Sequence, residues 1–351
     1  MNIIHVVSSL NIGGAERFVA DLGVQQIAKG ENVSVISFGK VSDSLVGVCN
    51  ERGISVDFLT GNVFSRNAQF HSLVKKCDVI HIHTPHALKA LLPALWMLYD
   101  QKVIYTRHGE MAMKSKTWKY CHKVAKHIVH EVTFVSEAAS DVFKNVQKWK
   151  STNHHVIENG FDVSSIDLTR VDMDKLRIGS VGRMVELKGQ KTLLESASRL
   201  SDRDKDRVSL QFFGDGVERK ELEQLAAEIC SDIEVVFHGV VTDRDKIYNK
   251  IDVLAVTSET EGLSLAMIEA MAYEIPVLAT NVGGNPRLAI NQQTGYLFEY
   301  KETVALTKLI STYINDVPLR KTHGCNAGLL VKERFSLNTT LEKYQAIYAR
   351  I

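Results

Sequence analysis

The sequence predicts an α/β protein made of doubly wound parallel sheets and divided into two units. Short β-branched runs alternate with helical patterns along nearly the whole chain, which is the arithmetic of βαβ crossovers. Most of these runs are apolar without strict alternation, as expected of strands covered by helices on both faces. Some thirteen runs are too many for one sheet of this kind, so two Rossmann-like units are expected.

In the first half the strand candidates are IIHVVS, VSVISF, ISVDFL, DVIHIH, KVIYTR, EVTFVS and HHVIE. In the second half they are LRIGSVG, RVSLQFFG, IEVVFHG, DVLAVTS, IPVLAT and GYLF. Between them lie segments such as GAERFVADLGVQQIAKG and GQKTLLESASRLS, the latter with apolar residues at helical spacing. The first unit is expected over residues 1–164 and the second over 165–336. The break falls in the polar stretch VSSIDLTRVDMDK after IENGFD, and a new strand opens at Leu176. TTLEKYQAIYAR reads as helix, and this segment, 337–351, is expected to pack back on the first unit.

Composition narrows the class. The chain has 351 residues and 45% hydrophobic content, enough for two ordinary domains. Cys49, Cys77, Cys121, Cys230 and Cys325 are odd in number, widely spaced and free of any C-x-x-C, which argues for a reducing compartment. The strand pattern begins at the first residues, so no signal peptide is expected. The longest apolar run, ALKALLPALWML, carries Lys89 and Pro93 and is too short to span a bilayer. Net charge is +1, yet residues 101–157 hold 10 basic and 4 acidic residues. One basic zone on a neutral-to-acidic body is either a solvated helix face or a surface for a polyanion such as anionic lipid.

The most informative stretch is TEGLSLAMIEAMA, residues 260–272, which places Glu261 and Glu269 eight apart in apolar surroundings. A buried carboxylate is costly unless something binds it. The pattern reads as a strand ending at Thr257, a turn carrying Glu261 and Gly262, and a helix starting near Ser264 as N-cap. Carboxylates before and inside the helix, with open first-turn amides between them, suit a ligand with hydroxyls at both ends and phosphate in the middle. In the structural alternative, Glu269 pairs with a core arginine. Earlier, VGRMVELKG puts Arg183 and Lys188 just beyond a strand, with Lys188 opening the next helix. Two cations there can neutralise a diphosphate without a metal, although alone they read as a surface pair.

Taken together, GRMVELKG, FFGDG, FHG, SETEGLSLAMIEAMA, VLATNVGG and TGYLF closely resemble the donor half of retaining GT-B glycosyltransferases of family four (glycosyl transferases group 1). IGGAER, TRHG, FVSE and IENGFD occupy the corresponding positions of the first half, so the resemblance covers essentially the whole chain. It implies the GT-B fold, two Rossmann-like domains facing across a cleft, with the acceptor on the first and a nucleotide-sugar donor on the second. It also implies that Glu269 accepts from ribose hydroxyls and Glu261 from the donor sugar. Arg183 and Lys188 would stabilise the leaving diphosphate, helped by backbone amides of Gly262, Leu263, Ser264 and Leu265. Gly239 and Val240 would meet the base, Gly13 and Gly14 would let the backbone approach the diphosphate and acceptor, and His108 would reach the transferred sugar. One departure is that the family's glutamate after GG is replaced in NPRL, which carries Arg287.

The expected activity is retaining, metal-independent transfer of a hexose from a UDP-, GDP- or ADP-sugar to a saccharide or lipid-linked acceptor, in bacterial surface polysaccharide or lipopolysaccharide synthesis. With no obvious side-chain nucleophile, same-face attack is favoured. A GT-B epimerase, a phosphorylase or a silent binding protein are the alternatives. No cofactor, metal or nucleic-acid partner is expected. HIHTPH places His81 and His83 on one strand face with His86 nearby, a zinc-like spacing that no downstream acid completes. The Asp-x-Asp runs at 172–174, 202–204 and 243–245 read as linker and solvated turns. In the basic zone Lys114, Lys116, Lys119, Lys123 and Lys126 surround a helix expected from about Ser115. Four of them fall on one stripe flanked by Trp118, a surface fit for an anionic membrane. The expected location is the cytoplasm, peripheral on the inner face of the membrane.

Overall fold

Seven of the strand runs join one sheet and six another, and every pairing is parallel. The computed structural model describes residues 1–351 apart from Ile12, 110–112, Lys148, 150–152, 168–173 and Ile351. Ile12 of the first glycine motif, Glu110 of the basic zone, and Asp172 and Met173 of the first Asp-x-Asp run therefore lie outside the described residues.

The first sheet contains β1 (Asn2–Val7), β2 (Asn32–Ser37), β3 (Ser55–Phe58), β4 (Val79–Ile82), β5 (Lys102–Arg107), β6 (Glu131–Phe134) and β7 (His154–Val156). Their spatial order is β3-β2-β1-β4-β5-β6-β7, so the winding reverses between β1 and β4, where His5 pairs with His81 in register. Crossover helices begin on capping signals visible in the sequence. The Asn62 side chain accepts from the Ser65 N–H (3.0 Å), Thr84 precedes Pro85 at the first helical position, and Ser115 accepts from Trp118. Ile80, Ile82, Val103, Tyr105 and Phe134 are buried together beneath these helices, each aliphatic contributing about 2 kcal/mol of burial.

The second sheet contains β8 (Leu176–Val181), β9 (Val208–Phe213), β10 (Glu234–Gly239), β11 (Val253–Val256), β12 (Val277–Thr280) and β13 (Gly295–Phe298), in the order β10-β9-β8-β11-β12-β13. Here the winding reverses between β8 and β11, which pair Val253 with Ile178 and Leu254 with Gly179.

The chain divides into two compact units, Met1–Gly160 with Leu337–Ile351, and Phe161–Ser336. The helix Leu337–Ala349 belongs with the first sheet, lying against the helix Gly14–Ala28 and burying Tyr344 and Tyr348 completely. Among the described residues no helix is long and apolar enough to cross a membrane.

Candidate functional site

In open parallel sheets a ligand sits beyond the carboxyl ends of the strands, where the winding reverses. In the second unit that point is flanked by the loops after β8 and β11, which carry Arg183, Lys188 and Glu261. The chain leaves β8, forms a short 3-10 turn at Glu186–Lys188 and enters the helix Gln190–Ser198. Lys188 thus closes a turn rather than opening the helix. Gly189 behind it has φ +60, and a Cβ there would lie 2.4 Å from the Thr257 carbonyl oxygen, so only glycine brings this turn against the β11 loop. Thr257 Oγ1 donates to the Lys188 carbonyl (3.0 Å), and the Glu259 N–H donates to that of Leu187 (2.9 Å).

That junction places the Lys188 ammonium on Glu261 Oε1 at 2.5 Å, and Ser258 Oγ donates to the same oxygen at 2.7 Å. Arg183 is exposed; its carbonyl accepts from Gln190 Nε2 (3.0 Å), while its guanidinium has no hydrogen-bond or ion-pair partner among the described residues. The helix Leu265–Ala272 follows, with Ser264 at the N-cap position but its hydroxyl making no capping bond. Leu263, Ser264 and Leu265 bury their side chains, while the N–H groups of 262–265 have no partner among the described residues. Open amides at a helix start, beside a lysine, make an anion site.

Glu269, 3% exposed, lies in the second turn of this helix. The arginine left as an alternative in the sequence is present. Arg244 Nε and Nη2 reach Glu269 Oε1 at 2.8 Å each, and Tyr248 Oη donates to Oε2 at 2.6 Å. Arg244 also lies over the Phe161 ring at 5.0 Å. The run at 243–245 is therefore not a solvated turn: Asp243 caps a helix, Arg244 holds Glu269, and Asp245 accepts from Tyr273 Oη (2.6 Å). In the run at 202–204, Asp204 is buried and accepts from Ser311 (2.7 Å). Sequence reasoning missed Arg244, Tyr248 and Ser258 because each meets its glutamate only through the fold. At the proposed base position, β10 shifts register before Gly239, whose φ of +71 turns the chain and leaves Val240 exposed. The Gly239 carbonyl accepts from the Gly214 N–H at 2.8 Å. In NPRL, Asn285 is fully buried, donating to the Thr280 carbonyl (3.0 Å).

The first unit gathers different chemistry at its own switch point. Gly13 caps the helix Gly14–Ala28 just beyond β1, and Gly14 is exposed. His5, His81 and His83 are buried, and His108, partly exposed beyond β5, joins them. His5 Nδ1 meets His83 Nε2 at 2.8 Å, His83 Nδ1 meets His108 Nε2 at 3.0 Å, and His5 Nε2 meets Gln26 Oε1 at 2.7 Å. His81 bonds Tyr348 Oη (2.8 Å) and Thr106 Oγ1 (2.6 Å). Burial holds the His5 pKa down to about 4 and those of His81 and His83 well below the usual value. For His108 burial, helped by the Arg107 charge, lowers it to about 3, so these rings are neutral. His5, His81 and His83 form the one group among the described residues with metal-ligand spacing, within 4.8 Å. Every ring nitrogen of the three already has a partner, so a metal would displace Gln26, Tyr348, Thr106 or His108. His86 leaves this group and packs edge-on against Trp118 at 5.2 Å. His5, Gln26 and Tyr348 had no signal in the sequence beyond a lone polar residue among apolar ones.

The basic zone forms the helix Lys116–Ala125, and Lys114, Lys116, Lys119, Lys123 and Lys126 are all exposed. Lys126 lies at its C-cap in right-handed helical conformation, its N–H donating to the His122 carbonyl (3.0 Å), so it continues the stripe of Lys116, Lys119 and Lys123. Trp118 is not an exposed flank, since Lys89 Nζ covers its ring at 5.2 Å; the exposed aromatic is Tyr120.

Comparison with known proteins is consistent along the chain. Residues 12–165 match the family Glycosyltransferase Family 4, and residues 167–328 match Glycosyl transferases group 1. An α-1,4-N-acetyl-D-galactosaminyltransferase of Campylobacter jejuni is 24% identical over 100% of this chain and 99% of its own. The Staphylococcus aureus capsular polysaccharide biosynthesis glycosyltransferase CapM is 30% identical, over 50% of this chain and 46% of CapM. The chain thus spans about half the length of CapM. Anabaena HepE in complex with UDP and glucose superposes with a TM-score of 0.88 over 100% of both chains at 22% identity. TarM of S. aureus, in a complex containing UDP, gives 0.84 over 99% of both at 14% identity. The two sheets with their reversal points take the GT-B fold, and the two adjoining matches place the first half of the chain in Glycosyltransferase Family 4 and the second half in Glycosyl transferases group 1.

Proposed function

We propose that the protein is a retaining, metal-independent glycosyltransferase that moves a sugar from a nucleoside diphosphate to a saccharide or lipid-linked acceptor in bacterial surface polysaccharide synthesis. The observation that carries this reading is the Lys188–Glu261 contact across the reversal point of the second sheet, with exposed Arg183 on the adjoining loop and unpaired amides at 262–265. Lys188 has three N–H donors, so it keeps Glu261 in place while donating to a phosphate oxygen. As the glycosidic bond breaks, negative charge builds on the leaving diphosphate, where Lys188, Arg183 and the helix amides oppose it. Glu261 takes sugar hydroxyls, and Glu269, oriented by Arg244 and Tyr248, takes the ribose diol by sharing one of those bonds. The departing phosphate receives the acceptor's proton on the same face of the sugar, giving retention.

On the acceptor side, the exposed lysines suit the anionic inner face of a membrane. The Campylobacter relative's name specifies a PP-undecaprenol-linked saccharide, which supports a lipid-linked acceptor here. The test is a thermal-shift screen with UDP, GDP, ADP and their sugars in excess chelator, followed by NMR of the transferred or released sugar. A shift with one base and an α product from an α donor is expected. No shift with any nucleotide, or a shift only after metal is restored, overturns the reading.

A further inference from the structure

The histidines of the first unit form a chain with a direction. A neutral imidazole carries one N–H and one bare nitrogen, so in a line of N···N contacts the orientation of the first bond fixes all the others. Gln26 stands at the head of the line, fully buried. Its carbonyl oxygen faces His5 Nε2 at 2.7 Å, and its amide nitrogen faces Tyr348 Oη at 3.3 Å. An amide oxygen only accepts, so His5 carries its proton on Nε2 and offers Nδ1 as an acceptor. The 2.8 Å contact then requires His83 Nε2–H, and the 3.0 Å contact requires His108 Nε2–H. The other branch agrees: Gln26 donates to Tyr348, Tyr348 donates to His81 Nδ1, and His81 Nε2–H donates to Thr106. Reversing the Gln26 amide would turn every proton in both branches around.

The line ends at His108 Nδ1, a buried nitrogen with no partner among the described residues. We propose that Gln26, His5 and His83 are positioning residues that fix His108 as the Nε2–H tautomer, so that Nδ1 stands as a hydrogen-bond acceptor selecting a hydroxyl donor on the sugar substrate. The selecting role rests on the reading above that His108 faces the transferred sugar; the tautomer does not. Burial keeps all four rings neutral, which the one-proton-per-ring logic needs. A substrate group that can only accept, such as an ether oxygen or a carboxylate, finds no proton at this nitrogen.

The test uses the full chain labelled with 15N-histidine, without ligand, and with His108→Asn to assign the terminal ring. At neutral pH the expected spectrum shows protons on Nε2 of His5, His83 and His108. It also shows 15N–15N couplings across the His5–His83 and His83–His108 bonds. A proton on His108 Nδ1, an imidazolium, or absence of both couplings overturns the proposal, and wild-type protein alone decides this. Gln26→Leu should leave His108 as a mixture of tautomers, and Gln26→Glu, which keeps an acceptor toward His5, should restore one. Gln26→Leu should also lower kcat by about tenfold, the scale of one hydrogen bond, with Gln26→Glu recovering most of the loss. The substrate for that assay is whichever sugar nucleotide gives the largest thermal shift in the screen above. A single His108 tautomer in Gln26→Leu overturns the role of Gln26. The expected spectrum with turnover unaffected by His108→Asn overturns the sugar-facing role and leaves the tautomer standing.

Discussion

The two units repeat one architecture and equip it in opposite ways. Each has a parallel sheet whose winding reverses between two central strands, and each collects its polar residues there. In the second unit they are charged: Lys188 on Glu261, and Arg244 on Glu269. In the first they are four neutral imidazoles tied to an amide, a phenol and a threonine. Under the function proposed above, the contrast matches the partner each unit would meet. A diphosphate leaving group needs fixed positive charge, whereas sugar hydroxyls need directional acceptors and donors and gain nothing from net charge. Topology chooses the place, and side chains choose the ligand.

Breaking the charged side should have the largest effect. Glu269→Ala should abolish binding of the nucleoside diphosphate identified by the thermal-shift screen, measured by calorimetry. It also strands Arg244, so stability should fall by about 3 kcal/mol. Adding Arg244→Met to Glu269→Met should recover much of that stability without recovering binding. Unchanged nucleotide affinity in Glu269→Ala would leave only the structural pair. Next, Arg183→Ala or Lys188→Ala should each lower turnover on the order of a hundredfold, the scale of one transition-state charge contact. Both wild-type and residual activity should survive excess chelator, and loss with metal rescue would redirect attention to the histidines.

The neutral side should reveal itself through pH. The folded His5 and His108 pKa values, about 4 and about 3, lie below the unfolded value near 6.5, so the unfolded chain binds more protons in that interval. Stability should be flat above about pH 7 and fall as pH drops from about 6.5 toward 4. The slope should be at most roughly 1.4 kcal/mol per pH unit for each ring that stays neutral. Amide exchange of β1 and β4 reports it. A pH-independent exchange rate ratio, after correction for intrinsic chemistry, would mean the rings are solvated or charged.

The smallest effect concerns the basic helix. Cosedimentation with vesicles containing phosphatidylglycerol should require anionic lipid and weaken with salt. It should decline by about 1 kcal/mol for each of Lys116, Lys119 and Lys123 changed to glutamate. Wild-type protein remaining in the supernatant at low salt would favour a soluble acceptor.

The same contrast explains what could be read beforehand. The strands were legible because each is a short apolar run set off by helical patterns, and all thirteen runs formed strands. The charged residues were legible because Glu261 and Glu269 share one segment, and a glutamate among Leu, Met, Ile and Ala signals a partner. That partner was not legible: Arg244 lies in a run of charges that looks solvated until the fold buries it. The neutral network was legible only in its separate members His81, His83 and His108, not as a network. Residues 5, 26, 83, 108 and 348 share no motif, and HIHTPH by spacing suggested zinc, because spacing cannot show that each nitrogen is already engaged. Trp118 misled for the same reason, since a helical stripe does not reveal that Lys89 reaches across from a neighbouring helix.

The return of the helix Leu337–Ala349 to the first sheet has a consequence for how the molecule is made. The second unit is one uninterrupted segment and can fold once Ser336 has been synthesised. The first is interrupted by it, and its interior stays open at His81 until Tyr348 arrives. Synthesis therefore allows the units to be completed in the reverse of their order along the chain, with the histidine cluster of the first assembled only after the whole of the second has been made.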